Sequence, residues 1–166
     1  MHRDKVPSPL ADDSFQYKRT IELGGARGEL AYVGRNHGDG GIVMRFPKER
    51  VLFAVDFIPV KSLGYRDFPD AYFPDWIESL KQVEAMDFDI LAPGHGALGR
   101  KDDVRLHREY LEDLRAQVTK AVQEKKTVEE TKQAVDLTKY QSWSGYQEMR
   151  DLNIEGMHRI VSAKRN

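Results

Sequence analysis

The sequence contains no cysteine, no long apolar run and no excess of charge of one sign. Without cysteine there are neither disulfides nor thiolate ligands, so a metal ion could be bound only through His, Asp or Glu. The 26 basic and 27 acidic side chains give the whole chain no electrostatic preference for nucleic acid. No segment approaches the ~20 apolar residues of a membrane helix, and the N-terminus does not resemble a signal peptide. We therefore expect a cytoplasmic protein that binds neither nucleic acid nor membrane.

The first half of the chain has the pattern of an antiparallel sheet. Strand-like runs cover residues 18–23, 28–33, 41–46 and 50–57, with Pro47-Lys48-Glu49 as a tight connection. Beyond Pro74 the apolar residues recur at helical spacing as far as Met86, and a further strand is predicted over residues 88–92. This order of strands followed by helices predicts an α+β fold.

The second half of the chain is predicted to be helical. A long helix begins after a cap at Asp102 or Asp103 and continues to residue 126. Thr127 and Glu130 have the spacing of a capping box, so another helix is expected from residue 128. A last helix is predicted over residues 153–164. We divide the chain into a loose leader (1–14), a domain (15–126) and a helical tail (127–166) that packs on that domain.

Three short stretches place a polar residue in a glycine-rich turn or beside an apolar strand. They are His37 in "GRNHGDGG", Asp56 in "VLFAVDF" and His95 in "LAPGHG". Because a buried carboxylate is costly unless it is paired or bound to a metal ion, Asp56 needs a partner. Taken singly, each residue has a simpler interpretation, as a loop histidine or as an acid bonded to a backbone amide. Together, two histidines and a carboxylate suit zinc or another borderline divalent metal.

In this order and context, the three stretches resemble the last three metal-binding motifs of the metallo-β-lactamase superfamily. The segments "IELGG" and "FPKERVLF" and the helix leading to "LAPGHG" also fall where that family has them. The resemblance implies a metal-dependent hydrolase that attacks an ester, thioester, lactam or phosphodiester. It also implies that His37 and His95 are metal ligands, that Asp56 is the bridging ligand that orients the nucleophile, and that zinc, or else iron or manganese, is the cofactor.

The family's early His-x-His-x-Asp-His motif does not occur in the sequence. The chain therefore resembles only the C-terminal half of such an enzyme, and the expected fold is half of an αββα sandwich. The sheet should be rich in antiparallel pairs, with helices on one face and a helical tail. With fewer ligands than the complete family site, metal affinity and hydrolytic activity are expected to be weak or absent without the missing half. The alternative is a non-catalytic binding or assembly module of hydrolase ancestry.

Other polar and aromatic residues have simpler interpretations beside the functional ones. Asp39 is either a hydrogen-bond partner that orients the His37 ring without binding the metal ion, or a solvated turn acid. His107 fits the buried stripe of its helix and is expected to be a core or helix-surface histidine, with a metal ligand as the alternative. Tyr140, Trp143 and Tyr146 are expected to be packing groups, with a substrate rim as the alternative.

A half-sandwich would expose the second face of its sheet as a large apolar patch. Twofold dimers are the commonest soluble oligomers, so a homodimer through this face is expected. Domain swapping or cover by the chain's own helical tail are the alternatives. A small-molecule substrate is the other expected partner. The substrate, and whether the chain is natural, engineered or part of a longer protein, are left open.

Overall fold

The computed structural model describes residues 13–163, so the predicted leader lies almost wholly outside the described residues. These residues form one five-stranded sheet. One helix lies between the fourth and fifth strands, and the other helices come after the fifth strand in the chain. The strands are β1 (Lys18–Leu23), β2 (Ala26–Tyr32), β3 (Ile42–Phe46), β4 (Val51–Ala54) and β5 (Ile90–Pro93). The helices are α1 (Asp75–Glu84), α2 (Lys101–Gln123), α3 (Val128–Ala134) and α4 (Tyr146–Ala163), with a 3-10 turn at Thr138–Tyr140.

The sheet has the strand order β1-β2-β3-β4-β5. The first four strands form an antiparallel meander, and β5 adds in parallel to β4. A parallel neighbour requires a crossover, which residues 55–89 provide through a long loop and α1. The expectation of an α+β fold with a sheet rich in antiparallel pairs is therefore confirmed.

One face of the sheet packs against the helices and carries the core. Val43, Leu52, Ala54 and Leu91 are at most 1% exposed, and they join the apolar stripes of α1 and α2 in a single cluster. The stripe of α1 contributes Trp76, Ile77, Leu80 and Val83, as its helical spacing predicted. Because adjacent strand residues point to opposite faces, the neighbours of these sheet residues point away from the helices.

The face that points away from the helices, here called the open face, is apolar. Its most exposed members are Ile21, Leu23, Ile42, Phe53 and Ile90, each with between 37% and 80% of its surface accessible. The strand register places Tyr32, Met44, Phe46 and Val51 on the same face. The one charged strand residue on this face is Arg19, on the edge strand, and it forms an ion pair with Asp13.

Two helix starts test the predicted caps. Thr127 and Glu130 form the expected capping box, with the backbone N–H of Thr127 2.8 Å from the Glu130 carboxylate. The predicted cap of α2 at Asp102 or Asp103 is wrong, because the N-cap residue is Arg100. Asp103 instead accepts a hydrogen bond from the backbone N–H of Arg100 at 2.8 Å, and so lies in the first turn.

Two further boundaries differ from the prediction. The last helix begins at Tyr146, seven residues before the predicted start at residue 153. Strand β4 ends at Ala54, whereas the apolar run predicted a strand to residue 57. Within residues 13–163, no helix has both the length and the apolar character needed to cross a bilayer.

Candidate metal centre and its cavity

His37 lies in the turn that connects β2 to β3, and a buried neighbour fixes its ring. The Nδ1 atom of His37 lies 2.9 Å from Oδ1 of Asn36, which is fully buried. Because an amide oxygen only accepts hydrogen bonds, this contact places the proton of a neutral ring on Nδ1 and leaves a lone pair on Nε2. The ring also stacks on Phe57, with centroids 6.5 Å apart and an interplanar angle of 11°.

Asn36 anchors the whole turn. Its backbone N–H donates to Gly38 at 2.9 Å, and its side-chain amide donates to Gly34 at 3.1 Å. Its own carbonyl accepts the N–H of Tyr72 at 2.8 Å, which ties the turn to the segment before α1. A side chain at Gly41 would meet the Asn36 amide at 3.2 Å, so glycine is needed for close packing there. Asn36 was not among the predicted site residues; its position directly before His37 was the available signal.

Asp56 lies in the loop after β4 and not inside a buried strand, so the predicted burial is wrong. Its side chain is 41% exposed, and its backbone has a positive φ of 66°. The partner that its chemistry required is nonetheless present, because its Oδ1 lies 2.9 Å from Nε2 of His95.

His95 occupies a turn between two glycines directly after β5. A Cβ at Gly94 would meet Oδ1 of Asp56 at 3.0 Å and the side chain of Val55 at 2.8 Å. Gly96 has a φ of +86°, which favours glycine. The two glycines therefore let the turn approach Asp56 closely. The His95 side chain is 87% exposed, so most of its surface is open to solvent.

His37, Asp56 and His95 line the same cavity of about 730 Å³. Among residues 13–163, however, no three His, Cys, Asp or Glu side chains are grouped closely enough to hold a metal ion. Asp56 and His95 are in contact, whereas the hydrogen-bond partner of His37 is Asn36. Two imidazoles and a carboxylate are the correct ligand types for zinc, so the donor chemistry fits a metal ion although the described arrangement is incomplete. The metal site stays a prediction.

Asp39 lies on the surface beside this turn. Its Oδ1 is 3.5 Å from the Tyr32 hydroxyl, and the group that contacts His37 is Asn36. Burial, followed by the negative charge of Asp39, raises the pKa of Tyr32 above its usual value. Within residues 13–163, no contact therefore supports Asp39 as the group that orients His37.

The loop between β4 and α1 forms one wall of the cavity and has a strained backbone. Four of its non-glycine residues have positive φ angles: Asp56 (66°), Lys61 (45°), Arg66 (53°) and Phe68 (54°). Such a conformation costs about 1–2 kcal/mol per residue, so surrounding contacts must hold it. Asn153 of α4 supplies two of them, donating from Nδ2 to Gly64 at 2.9 Å and to Arg66 at 2.5 Å.

The sequence matches one family model over residues 2–95, that of the metallo-beta-lactamase superfamily. One relative, the alpha subunit of 2,4-dinitroanisole O-demethylase from Nocardioides sp. (strain JS1661), is 33% identical over 75 residues. That alignment covers 45% of this chain and 23% of the relative. Another, a type 2 metallo-beta-lactamase from Bacillus sp. (strain 170), is 29% identical over 98 residues, or 56% of this chain and 37% of the relative. The chain therefore spans well under half the length of both relatives.

Solved structures show the same partial likeness. The metallo-beta-lactamase from Pontibacter korlensis superposes with a TM-score of 0.57 at 21% identity, covering 63% of this chain and 50% of that chain. The DIM-1 metallo-beta-lactamase superposes with a TM-score of 0.50 at 24% identity, covering 57% and 44% respectively. At these identities the likeness concerns the fold alone.

Proposed function

Because the chain belongs to the metallo-β-lactamase superfamily, we propose that it forms one half of a metal-dependent hydrolase site. The observation that carries the proposal is the Asp56 and His95 pair at a cavity that His37 also lines. When bound, a divalent metal ion such as zinc supplies Lewis-acid activation of the substrate and nucleophile. His37 and His95 are the proposed ligands, and the substrate class is an ester, thioester, lactam or phosphodiester.

The described residues support specific tasks within this proposal. The contact with Asn36 leaves Nε2 of His37 free to bind a metal ion, which is the usual arrangement of a ligating histidine. Asp56, held beside His95, accepts a hydrogen bond from the attacking water and orients it. Among residues 13–163 no group of three ligands is formed, so the proposal requires further ligands to complete the site.

Calorimetric titration with zinc tests the ligand assignment. We expect the parent chain to bind zinc and His95→Ala to bind at least tenfold more weakly, because a ligand is lost. His158→Ala is the matched control, since His158 lies on α4 and contacts the Lys126 carbonyl instead of the cavity. Identical isotherms for the parent and His95→Ala would remove His95 from the site. Hydrolysis of a substrate panel with and without zinc tests the reaction.

A second candidate function is a non-catalytic binding or assembly module, which is favoured because no three-ligand group is formed among residues 13–163. Zinc content and hydrolysis separate the two candidates. Both measurements are made on the chain alone and on the chain mixed with a complementary half that carries a His-x-His-x-Asp-His motif. If the chain binds no zinc and hydrolyses no member of the panel in either case, the second candidate is favoured.

Both candidates leave the open face of the sheet exposed, and we propose that a second copy of the chain covers it. Five strands about 4.8 Å apart and roughly five residues long give a face of roughly 400 Å² in projection. A face of this size equals the largest apolar patch of an ordinary monomer, about 300–600 Å², and such patches are often functional. Apart from Arg19 at the edge, the strand residues of this face carry no charge. Two copies can therefore meet there without like-charge repulsion.

Sedimentation at micromolar concentration tests this assembly. We expect the parent to sediment as a dimer of the 19.1 kDa chain, and Phe53→Lys to sediment as a monomer. Leu152→Lys is the matched control, because Leu152 has nearly the same exposure as Phe53 (38% against 40%) but lies on α4. A parent chain that is a compact soluble monomer contradicts the dimer, as does a Phe53→Lys variant that stays dimeric.

A further inference from the structure

The cavity beside Asp56 and His95 is predominantly apolar. Leu63, Phe68, Trp76 and Met149 are among the side chains that line it. Its volume of about 730 Å³ lies within the range of about 300–1,000 Å³ that is typical of small-molecule sites. The polar groups of the candidate metal centre lie on the same cavity, so one ligand can contact both.

The charged groups of this cavity are unevenly distributed. Its described lining includes two acids, Asp56 and Asp70, and no lysine or arginine. A carboxylate or phosphate group buried in the apolar part would lose its hydration without gaining a cationic partner. The apolar part therefore disfavours anions, whereas uncharged apolar groups gain from leaving water.

One wall of the cavity comes from the C-terminal part of the chain. Ser144, Gly145 and Met149 line it, and all three lie beyond residues 2–95, where the family match ends. Two backbone hydrogen bonds fasten this wall to the loop opposite. Leu63 donates to the Ser144 carbonyl at 3.1 Å, and Ser144 donates to the Lys61 carbonyl at 2.9 Å. The wall is therefore a fixed part of the cavity, and Met149 is the long apolar side chain that it contributes.

We propose that the cavity binds the uncharged, aromatic or bulky aliphatic part of the substrate, and that Met149 on α4 is a specificity-determining residue. The proposal rests on the proposed function for the identity of the polar end, where the reacting group meets Asp56 and His95. The apolar selectivity itself depends only on the cavity lining. The proposal thereby gives the C-terminal helices a role in substrate selection.

Binding of a matched pair of stable amides tests the proposal. The probes are N-(2-naphthyl)acetamide, which is neutral, and 6-acetamido-2-naphthoate, which adds a carboxylate at the far end of the same ring system. Titration calorimetry is carried out at pH 7.5 on the full chain without zinc, because a bound zinc ion would pair with the carboxylate and mask the preference of the apolar lining. We expect the neutral probe to bind at least tenfold more tightly than the carboxylate. Equal affinities, or tighter binding of the carboxylate, would overturn the proposal.

Two variants on α4 locate the binding. Met149→Glu is expected to weaken binding of the neutral probe at least tenfold, because it places a charge in the cavity. Leu152→Glu, on the same helix but outside the cavity lining, should leave the affinity within twofold. Should Met149→Glu fail to fold, Met149→Ala is expected to weaken the probe about threefold. Binding that survives both Met149 variants would place the probe elsewhere, for example on the open face, and would contradict the proposal.

The binding measurements are independent of catalysis. A chain that binds the neutral amide but neither zinc nor any hydrolysable substrate would retain the apolar site and lose the proposed hydrolase function. A chain that binds zinc but shows no preference between the amides would lose the inference and keep the proposed function.

Discussion

His107 provides a direct test of how the core is built. Its ring on α2 is fully buried, and neither ring nitrogen has a hydrogen-bond partner within residues 13–163. It packs between Trp76 and Tyr110, at centroid distances of 5.8 and 6.2 Å. An imidazolium in this position would lose its hydration and gain no partner. Burial therefore lowers the pKa of His107 from 6.5 to about 3.

This lowered pKa makes the stability of the fold depend on pH. The unfolded chain takes up a proton on this residue near pH 6.5, whereas the folded chain stays neutral until about pH 3. The contribution of His107 to stability is therefore complete above pH 6.5 and falls as the pH drops towards 3. At about 1.4 kcal/mol per pH unit, the loss at pH 5 is about 2 kcal/mol.

Urea unfolding at several pH values, at one protein concentration, measures this loss. Between pH 8 and pH 5, we expect the parent to lose about 2 kcal/mol more stability than His107→Leu, which cannot titrate. At pH 8 the leucine variant should be at least as stable as the parent, because it removes a buried donor whose missing hydrogen bond costs about 1–3 kcal/mol. Leu114→Ala, also buried on α2, is the control. It should lower stability by about 2–5 kcal/mol in parallel with the parent at every pH.

The outcome that refutes this reasoning is a pair of parallel pH profiles for the parent and His107→Leu. Parallel profiles would mean that the folded chain protonates His107 as readily as the unfolded chain. The ring would then have a charged or hydrogen-bonding partner in solution, and it would not be isolated in an apolar core.

Three further predictions test individual contacts. Gly156→Ala should lower the melting temperature sharply, because the added Cβ would lie 1.9 Å from the Asp67 carbonyl oxygen and overpacking costs about 1–3 kcal/mol or more; an unchanged melting temperature would contradict this packing. Thr127→Ala removes the cap of α3 and should cost about 1 kcal/mol in urea unfolding, whereas no loss would make the capping box irrelevant. Asn36→Ala should weaken zinc binding about 10–100-fold in calorimetry by freeing His37, and unaltered binding would remove Asn36 from the site.

The sequence predicted most of the regular elements because their signals are local. Strand β1 has the predicted bounds, and the Thr127 capping box acts within a single turn. The start of α4 was missed because its buried residues begin only at Asn153, so residues 146–152 add no buried apolar stripe. The polar side chain of Asn153 is buried through its hydrogen-bond partners, a tyrosine of α2 and two loop carbonyls. Those partners are between 43 and 89 positions away along the chain, so no periodicity of apolar residues could reveal them.

The candidate site was predictable to a lesser degree. The sequence predicted that Asp56 needs a partner, and the family resemblance put Asp56 and His95 in one site; in the structure these two side chains are 2.9 Å apart. The placement of Asp56 in a buried strand was wrong, because β4 ends two residues earlier and the chain turns there with a positive φ. Asn36 was missed because its role depends on burial, which a glycine-rich turn normally does not indicate.

The C-terminal helices affect the site through the strained loop that they hold. Without α4, the loop would lose the Asn153 hydrogen bonds to Gly64 and Arg66, and relaxing each of its four non-glycine residues of positive φ would recover about 1–2 kcal/mol. Relaxation would then favour other conformations of the loop over the one that forms the cavity wall beside Asp56. Residues beyond the family match therefore help to shape the cavity, whereas the polar groups of the cavity, His37, Asp56 and His95, lie within the matched residues. Residues 2–95 include all three candidate ligands but not Met149, the residue proposed to select the substrate.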